Sequence, residues 1–305
     1  MCAMTARILV GTCSWADKTL VDCDRFYPPT LKTAEERLRF YAGQFPLVEV
    51  DSSYYGLPSE RNAALWVERT PAHFTFDVKA FRLMTQHPTP PNALPKDLRE
   101  GLPASLASKP NLYRRDLPRE AVDQVWERFA SALLPLDSAG KLGVVVFQFP
   151  PWFLPGPDSS EYLLEAQARL PQYRIAVEFR NGRWLSERNA ERTLRFLADH
   201  RLAFVCVDEP QGFSNSVPPV AAATTDVALV RFHGRNTATW AKRGTSPAER
   251  FYWLYREEEL REWVPRVEKL AQEAREVHLL MNNCREDKAV AGARQLQMLL
   301  HLPAP

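Results

Sequence analysis

The chain has 305 residues, and its 39 Lys and Arg residues nearly balance its 37 Asp and Glu residues, which gives a formal net charge of +2. Such a balance argues against a protein that mainly coats DNA or an anionic membrane, although it allows a local basic patch. With 25 prolines and only 12 glycines, the chain lacks the glycine-rich loops of dinucleotide-binding and P-loop proteins. It also lacks the Gly-x-Ser-x-Gly elbow of hydrolases and the His-Glu-x-x-His motif of zinc proteases.

The cysteines and the amino terminus indicate the compartment. The five cysteines form no Cys-x-x-Cys pair, and their number is odd. The first residues, MCAMTARILVG, lead into a predicted strand before an apolar signal segment of the usual length is complete. No stretch approaches the ~20 apolar residues that cross a bilayer. We therefore expect a cytoplasmic protein in a reducing compartment, with no membrane partner.

Short apolar runs alternate with segments of helical periodicity along the chain. Runs with little polar alternation are typical of strands that are covered on both faces. The eight predicted strands span residues 8–12, 47–50, 74–78, 142–149, 175–179, 203–207, 227–232 and 277–281. The seven predicted helices span residues 33–42, 60–69, 119–134, 161–170, 187–200, 257–273 and 289–300. This order predicts one TIM-type (β/α)8 barrel over residues 1–305, and the missing glycine-rich turn disfavours a doubly wound open sheet.

Three segments interrupt the alternation. Residues 209–226 show no helical periodicity, so irregular chain is expected between the sixth and seventh strands. Residues 81–118 follow the third strand and carry seven prolines, and the aromatic and basic residues 236–256 follow the seventh strand. Because both insertions begin at the carboxyl end of a strand, they are predicted to wall or cover the catalytic face, unless they are plain solvated connectors.

Polar residues stand at the carboxyl ends of the predicted strands, where (β/α)8 barrels place their chemistry. Residues two apart on a strand share a face, so Glu178 faces the same way as Arg180, and Arg231 the same way as His233. We expect these groups to meet in one pocket, where burial and neighbouring charge perturb their pKa values. The predicted catalytic residues are Glu178, Asp208, His233 and Lys79. The predicted substrate-binding residues are Arg180, Arg231, Arg235, Gln148, Tyr54, Trp15 and Asn282.

The residue types indicate acid–base chemistry on an anion. Arginine and lysine side chains suit a phosphate or carboxylate. Glu178 and Asp208 are candidate general bases, and His233 could carry protons near neutral pH. Amide side chains suit substrate hydroxyl groups, and aromatic side chains suit apolar walls. The pattern favours an enzyme that acts on a small anionic or polyhydroxylated substrate, such as a phosphosugar or nucleotide fragment, without a cofactor.

Other readings of the same residues stay open. Glu178 and Arg180 could pair only to hold the top of the barrel closed, and His233 could be a core histidine. Glu49, Glu178, Asp208 and His233 resemble in type the ligand sets of metal-dependent sugar isomerases, but the neighbouring cations oppose a divalent metal.

A nucleic-acid partner is the second functional hypothesis. Trp240, Lys242 and Arg243 in the second insertion could stack a base and grip a backbone, although the net charge of +2 counts against it. Cys13 and Cys284 follow neighbouring strands and could form a thiol pair, but idle thiols are more usual. The sequence leaves the oligomeric state open.

The strand-end motifs, taken together, resemble those of the YecE-like family of proteins of unknown function. The matching pieces are GTCSW at 11–15, FYP at 26–28, VEVDSSYY at 48–55, FDVKA at 76–80, FQFPP at 147–151, EFR at 178–180 with Trp184, VD at 207–208, RFHGR at 231–235 and NN at 282–283. The resemblance implies a TIM-barrel fold and supplies no reaction; a relation to sugar isomerases is an analogy of fold only. The family usually carries Asn and Thr where this sequence has Asp51 and Ser53.

Overall fold

Eight parallel strands form the centre of the computed structural model, which describes residues 6–242 and 244–303. They are β1 (Arg7–Thr12), β2 (Leu47–Val50), β3 (Thr75–Lys79), β4 (Leu142–Gln148), β5 (Ile175–Glu178), β6 (Ala203–Asp208), β7 (Val227–Phe232) and β8 (Glu276–Met281). Each strand pairs with the next in sequence, and β8 pairs with β1, so the sheet closes into a barrel. The predicted (β/α)8 barrel is therefore confirmed.

Thirteen α-helices are present in the part of the chain that the structure describes. They are α1 (Lys18–Asp22), α2 (Ala34–Ala42), α3 (Glu60–Glu68), α4 (Lys96–Glu100), α5 (Ala104–Ala107), α6 (Arg119–Ser138), α7 (Pro157–Arg169), α8 (Ala190–Asp199), α9 (Thr237–Trp240), α10 (Pro247–Arg250), α11 (Glu257–Arg261), α12 (Val264–Glu273) and α13 (Lys288–Leu299). None of them combines the length and the apolar character needed to cross a bilayer.

Local chemistry sets where several helices begin and end. Thr33 and Glu36 form a capping box that satisfies exposed N–H groups at the start of α2. The prediction of one helix over residues 257–273 is wrong, because α11 ends at Arg261 and α12 begins at Val264. Pro265 is the physical reason, since a proline inside a helix lacks the N–H donor and its ring clashes with the carbonyl of the preceding turn.

The connections follow the predicted pattern at three places. No α-helix separates β6 from β7, so this crossover is irregular chain. The proline-rich insertion after β3 holds the short helices α4 and α5 and two 3-10 turns, Pro91–Ala93 and Arg114–Asp116, before α6 begins. The insertion after β7 holds the short helices α9 and α10. Both insertions leave the carboxyl ends of their strands and therefore start at the end where barrels of this type place their active sites.

Phenylalanines on the outer face of the sheet pack against tryptophans in the surrounding layer. The ring pairs are Phe76 with Trp66 at 6.0 Å, Phe147 with Trp126 at 5.9 Å, Phe179 with Trp184 at 4.2 Å and Phe232 with Trp263 at 5.4 Å between centroids. Buried aromatic pairs of this kind add about 0.5–1.5 kcal/mol each beyond the area that they bury. This layer leaves the alternate strand residues to point into the barrel.

An ion pair fills the interior near the amino ends of the strands. His278 Nδ1 lies 2.9 Å from Asp77 Oδ2, although β8 and β3 are not neighbours, so the contact crosses the barrel. Asp77 Oδ1 also accepts a hydrogen bond of 2.9 Å from the Val144 N–H group. Gly143 leaves room for the pair, because a Cβ atom there would lie 2.2 Å from Asp77 Oδ1. The position thus needs glycine for a packing reason.

Charge on His278 stabilises this part of the core. Burial alone would lower its pKa, but Asp77, together with Glu276 at 3.5 Å, raises the pKa to about 9. Because the folded-state pKa lies above the ordinary value of 6.5, the contribution to stability is complete below about pH 6.5 and is lost as the pH rises through 9.

This pair predicts a pH-dependent stability difference. Wild type should have a higher free energy of unfolding than His278→Gln. This advantage should be roughly 3 kcal/mol larger at pH 6 than at pH 9.5, because that is the energy equivalent of raising the pKa of His278 from 6.5 to about 9. Urea unfolding of both proteins at the two pH values, in reducing buffer, measures it. The variant is its own control for every other titrating group. A difference between the two proteins that does not change with pH would contradict the assignment.

Candidate functional site

Arg231 lies at the centre of the upper barrel interior and has no exposed surface. Its guanidinium donates through Nη2 to Glu49 Oε1 at 2.6 Å and through Nη1 to Glu178 Oε2. The same Nη2 lies 3.6 Å from Cys13 Sγ, and Nη1 lies 3.4 Å from Gln148 Oε1. These partners come from β2, β5, β1 and β4, none of which pairs with β7. The guanidinium therefore reaches across the barrel and joins β7 to four strands with which β7 shares no backbone hydrogen bonds.

Glu178 accepts from cationic and neutral donors on both of its oxygens. Oε1 receives Arg180 Nη1 at 3.2 Å and His233 Nε2 at 3.0 Å, while Oε2 faces Arg231. Burial acts to raise the pKa of this carboxyl, but Arg231 and the other donors hold the pKa well below its usual range. Glu178 is consequently a permanent carboxylate. Its partner across the barrel, Glu49, has its pKa raised by burial.

His233 and Asn282 form a short chain that ends on Glu178. Asn282 Nδ2 lies 2.8 Å from His233 Nδ1, which makes that ring nitrogen the acceptor and leaves the proton on Nε2 to be donated to Glu178. Burial lowers the pKa of His233 to about 3. The imidazole is therefore neutral. Asn282 at Nδ1 and Glu178 at Nε2 together fix which ring nitrogen carries the proton.

Lys79 and Arg180 are nearly buried cations at the edge of the cluster, with exposed fractions of 8% and 7%. Lys79 Nζ donates to Asp51 Oδ1 at 2.8 Å and lies 4.7 Å from the ring centre of Tyr54. Arg180 uses Nη1 for both of its carboxylates, Glu178 and Glu209. Among the described residues its Nε and Nη2 atoms have no acceptor, and they keep contact with solvent.

Further cations surround Arg180 at the opening of the barrel. Arg82 lies 5.4 Å over the Tyr54 ring, and no carboxylate within the described chain pairs with it. Arg250 also has no carboxylate partner in the part of the chain that the structure describes. Burial and the neighbouring Arg180 lower the pKa of Arg250. Burial and then Lys79, Arg82 and Arg180 lower the pKa of His87 to about 3. The opening is therefore cationic.

Trp240 covers Arg180 from the insertion after β7. The guanidinium lies 4.8 Å from the Trp240 ring centre, and the indole is buried. Cation–π contacts of this kind are worth about 0.5–2 kcal/mol, depending on how far the cation is desolvated. The insertion thus forms part of a cover over the buried cluster, as its position after β7 predicted.

Asp208 and Arg235 do not reach the interior, so the expectation that they face the pocket is corrected. Asp208 accepts hydrogen bonds from Tyr255 Oη at 2.6 Å, Trp263 Nε1 at 2.6 Å and Arg235 Nη2 at 2.7 Å. In the β6–β7 register Asp208 lies opposite Phe232, which points outward, because successive strand residues alternate faces.

The next residue, Glu209, takes the place in the pocket that Asp208 was expected to fill. It accepts from Arg180 Nη1 at 2.8 Å and from the Val217 N–H group at 2.7 Å. Burial raises its pKa to about 7, although Arg180 opposes the shift. The sequence analysis missed Glu209 because the face that a residue at a strand end occupies depends on the register of that strand. The only signal in the sequence was that a second acidic residue, Glu209, directly follows Asp208.

Trp15 is also placed differently from the prediction. Its ring packs edge-on against Trp66 at 5.7 Å and Phe76 at 6.3 Å, on the outer side of the sheet. It is therefore part of the strand–helix layer. The other predicted side chains do come together: Gln148 and Asn282 reach the cluster through Arg231 and His233, and Tyr54 lies beneath Lys79.

The donor set does not suit a divalent metal. Within residues 6–242 and 244–303, no three His, Cys, Asp or Glu side chains are grouped as metal ligands. Arg231 occupies the space between Glu49 and Glu178, and Asp208 faces away. Cys13 and Cys284 are free thiols whose pKa values burial raises, so both stay protonated.

Comparison with known proteins shows the family to which the chain belongs. The family described as "Protein of unknown function DUF72" matches residues 9–305. The chain belongs to the DUF72 family. The chain is also 34% identical over 301 residues to the UPF0759 protein YunF of Bacillus subtilis strain 168. The match covers 97% of this chain and 95% of YunF. The resemblance to YecE-like proteins thus led to the right family, which the matches name DUF72 and UPF0759.

Two solved structures of DUF72 proteins share the fold of this DUF72 chain. A protein of Enterococcus faecalis V583 is 27% identical, with a TM-score of 0.78 and coverage of 98% of this chain and 97% of that one. A protein of Thermotoga maritima MSB8 is 29% identical, with a TM-score of 0.75 and coverage of 97% and 99%. Both are described only as members of the family, so the site must be interpreted from its own chemistry.

The buried cluster predicts a large cost for removing its central cation. Arg231→Met should lower the unfolding free energy by about 3–5 kcal/mol, because it strands two buried carboxylates. Arg195→Met on the exposed face of α8 is the matched control and should change stability by no more than about 0.5 kcal/mol. Urea unfolding at pH 7 compares the three proteins, and a loss below about 1 kcal/mol for Arg231→Met would show that the cluster is not structural.

Proposed function

We propose that this protein is an enzyme that binds a small anionic or polyhydroxylated substrate, such as a phosphosugar, at the carboxyl-terminal opening of the barrel. The proposal rests on Lys79 and Arg180, which keep N–H donors at the opening beyond those that bind carboxylates. Other cations lie nearby, such as Arg82, which has no carboxylate partner in the part of the chain that the structure describes. Donors that are fixed in place and short of acceptors favour a phosphate or carboxylate.

Arg180 is the main anion ligand in this proposal. Glu178 and Glu209 hold one nitrogen of the guanidinium, and Trp240 packs on its face, so the plane of the group is fixed before a substrate arrives. The other edge can bind two oxygens of a phosphate side by side. Lys79, oriented by Asp51, adds a second positive charge. A fixed cation loses little conformational entropy on binding.

Neighbouring neutral groups supply contacts for hydroxyl groups. Gln148 and Asn282 lie at the ends of β4 and β8 and are partly exposed. Their amides can donate to and accept from sugar hydroxyls. Tyr54, which already packs under Lys79, offers an apolar wall for the ring of a sugar.

Glu209 is the candidate acid–base group. Its pKa of about 7 means that both protonation states are populated at neutral pH, which suits proton transfer in either direction. Glu178 does not serve, because its pKa is well below the usual range. It acts as a positioning residue that orients Arg180 and His233. An anion that draws Arg180 away from Glu209 would raise the pKa of Glu209 further and favour proton uptake.

The nucleic-acid hypothesis receives less support from the geometry. It needs Trp240, Lys242 and Arg243 to present a stacking surface and a basic groove. Trp240 is buried against Arg180, Lys242 is exposed, and Arg243 lies outside the described residues. A buried indole cannot stack a base unless the cover opens.

Arg180→Met tests the proposed anion site. Wild type should be stabilised by at least one sugar phosphate in a thermal-shift screen and not by the matching unphosphorylated sugar. The variant should bind that phosphate about 10- to 100-fold more weakly, because a hydrogen bond to a charged group is worth about 1.5–3 kcal/mol. Isothermal titration with the selected compound measures the ratio.

Arg195→Met is the control, because it removes an exposed arginine from α8 and should leave the affinity unchanged. The proposed anion site at Arg180 is contradicted if the neutral sugars stabilise wild type as much as their phosphates, or if Arg180→Met binds the selected phosphate as tightly as wild type.

A further inference from the structure

A cavity of about 970 Å³ lies beside the barrel opening, outside the Arg231 cluster. The end of the proline-rich insertion, the start of α6, the last turns of α7 and the loop after β4 form its walls. Its size is at the upper end of the usual range for small-molecule sites, which is about 300–1,000 Å³. None of the predicted site residues lines it.

Four arginines line this cavity, and carboxylates balance only part of their charge. Arg114 and Arg169 share one oxygen of Glu165, at 2.5 Å and 2.8 Å. Arg169 also binds Asp123, at 2.8 Å, and Asp123 lies 3.7 Å from Arg119. Four guanidinium groups therefore face two carboxylates at this wall.

Arg115 supplies the clearest unpaired charge. It is exposed, it lies 5.4 Å from the Tyr113 ring centre, and no described carboxylate lies within salt-bridge distance of it. Arg119 pairs with Asp123 only at 3.7 Å and is 87% exposed, so the four arginines and two carboxylates of this wall leave a net charge of about +2. This is the charge that a diphosphate group would neutralise.

An exposed tryptophan also lines the cavity. Trp152 is 56% exposed, and its ring lies 6.0 Å from the ring of His87, at an angle of 67°. Buried Leu117 continues the apolar surface. A flat indole that remains open to solvent beside arginines is suited to stack on an aromatic ring that carries an anion.

Gln86, which also lines the cavity, has an uncommon backbone conformation. Its φ angle of 62° lies in the left-handed region, which costs a residue with a Cβ free energy. Gln86 ends the turn that begins at Arg82, where the His87 N–H group donates to the Arg82 carbonyl at 3.0 Å. This turn fixes the backbone of Gln86 at the edge of the cavity.

We propose that this cavity binds a nucleoside diphosphate, with the base on Trp152 and the diphosphate on Arg114 and Arg115. The aromatic surface and the unbalanced arginines lie in one cavity large enough for both halves of the molecule. The site is distinct from the Arg180 opening, because the His87 ring packs between Trp152 of the cavity and Tyr54 of the opening. It does not depend on the function proposed above.

Isothermal titration of the full chain with ADP, GDP, CDP and UDP tests the proposal. At least one of them should bind, and Arg115→Ala and Trp152→Ala should each weaken it at least about tenfold, because each removes about 1.4 kcal/mol or more. Arg195→Ala and Tyr55→Ala are matched controls that remove an exposed arginine and an exposed aromatic ring elsewhere, and both should bind as wild type does. Urea unfolding of each variant checks that the fold is intact.

The two halves of the ligand are tested with pyrophosphate and with the free nucleoside. Each should bind more weakly than the diphosphate, pyrophosphate should be insensitive to Trp152→Ala, and the nucleoside should be insensitive to Arg115→Ala. No binding of any of the four diphosphates overturns the proposal. So does binding that survives both cavity substitutions but is lost in Arg180→Met, which would place the nucleotide at the barrel opening.

Discussion

One guanidinium, that of Arg231, sets the structure of the upper barrel. It lies between Glu49 and Glu178 on strands that do not pair, and all three side chains are fully buried. Removing such charges from water costs several kcal/mol for each ion, and only close pairing offsets that cost. Each member therefore depends on the others, and the positions of Glu178, His233 and Arg180 follow from where Arg231 is held.

The cluster separates a closed, neutralised interior from a cationic opening. Arg231 has no exposed surface and faces the buried carboxylates Glu49 and Glu178, so it orients its neighbours without meeting solvent. Arg180 belongs to both zones, because one nitrogen is held by the interior carboxylates while the rest of the group meets solvent. The same division explains why Glu178 stays ionised and Glu209 has a pKa of about 7: the first has three close donors and the second has two.

The sequence predicted the barrel well because buried parallel strands appear as continuous apolar runs, and every strand was found to within about two residues. It also predicted which strand ends carry polar groups. It could not predict that Glu209 faces the pocket while Asp208 faces outward, because a shift of one residue along a strand reverses the direction of the side chain. Trp15 was misplaced since a loop residue after β1 can turn either way. The arginines at 114–119 belong to no motif in the sequence, and only the fold brings them to α7 and Trp152.

A double-mutant cycle between Glu49 and Glu178 tests the central role of Arg231 most directly. Glu49→Gln and Glu178→Gln each leave the guanidinium with one carboxylate, whereas the double variant leaves it buried with none. The free energy of urea unfolding should therefore fall in the double variant by more than the sum of the single losses, and by a margin above about 0.5 kcal/mol. Losses that add within that margin would show that the two carboxylates do not share one buried cation, and would contradict the account.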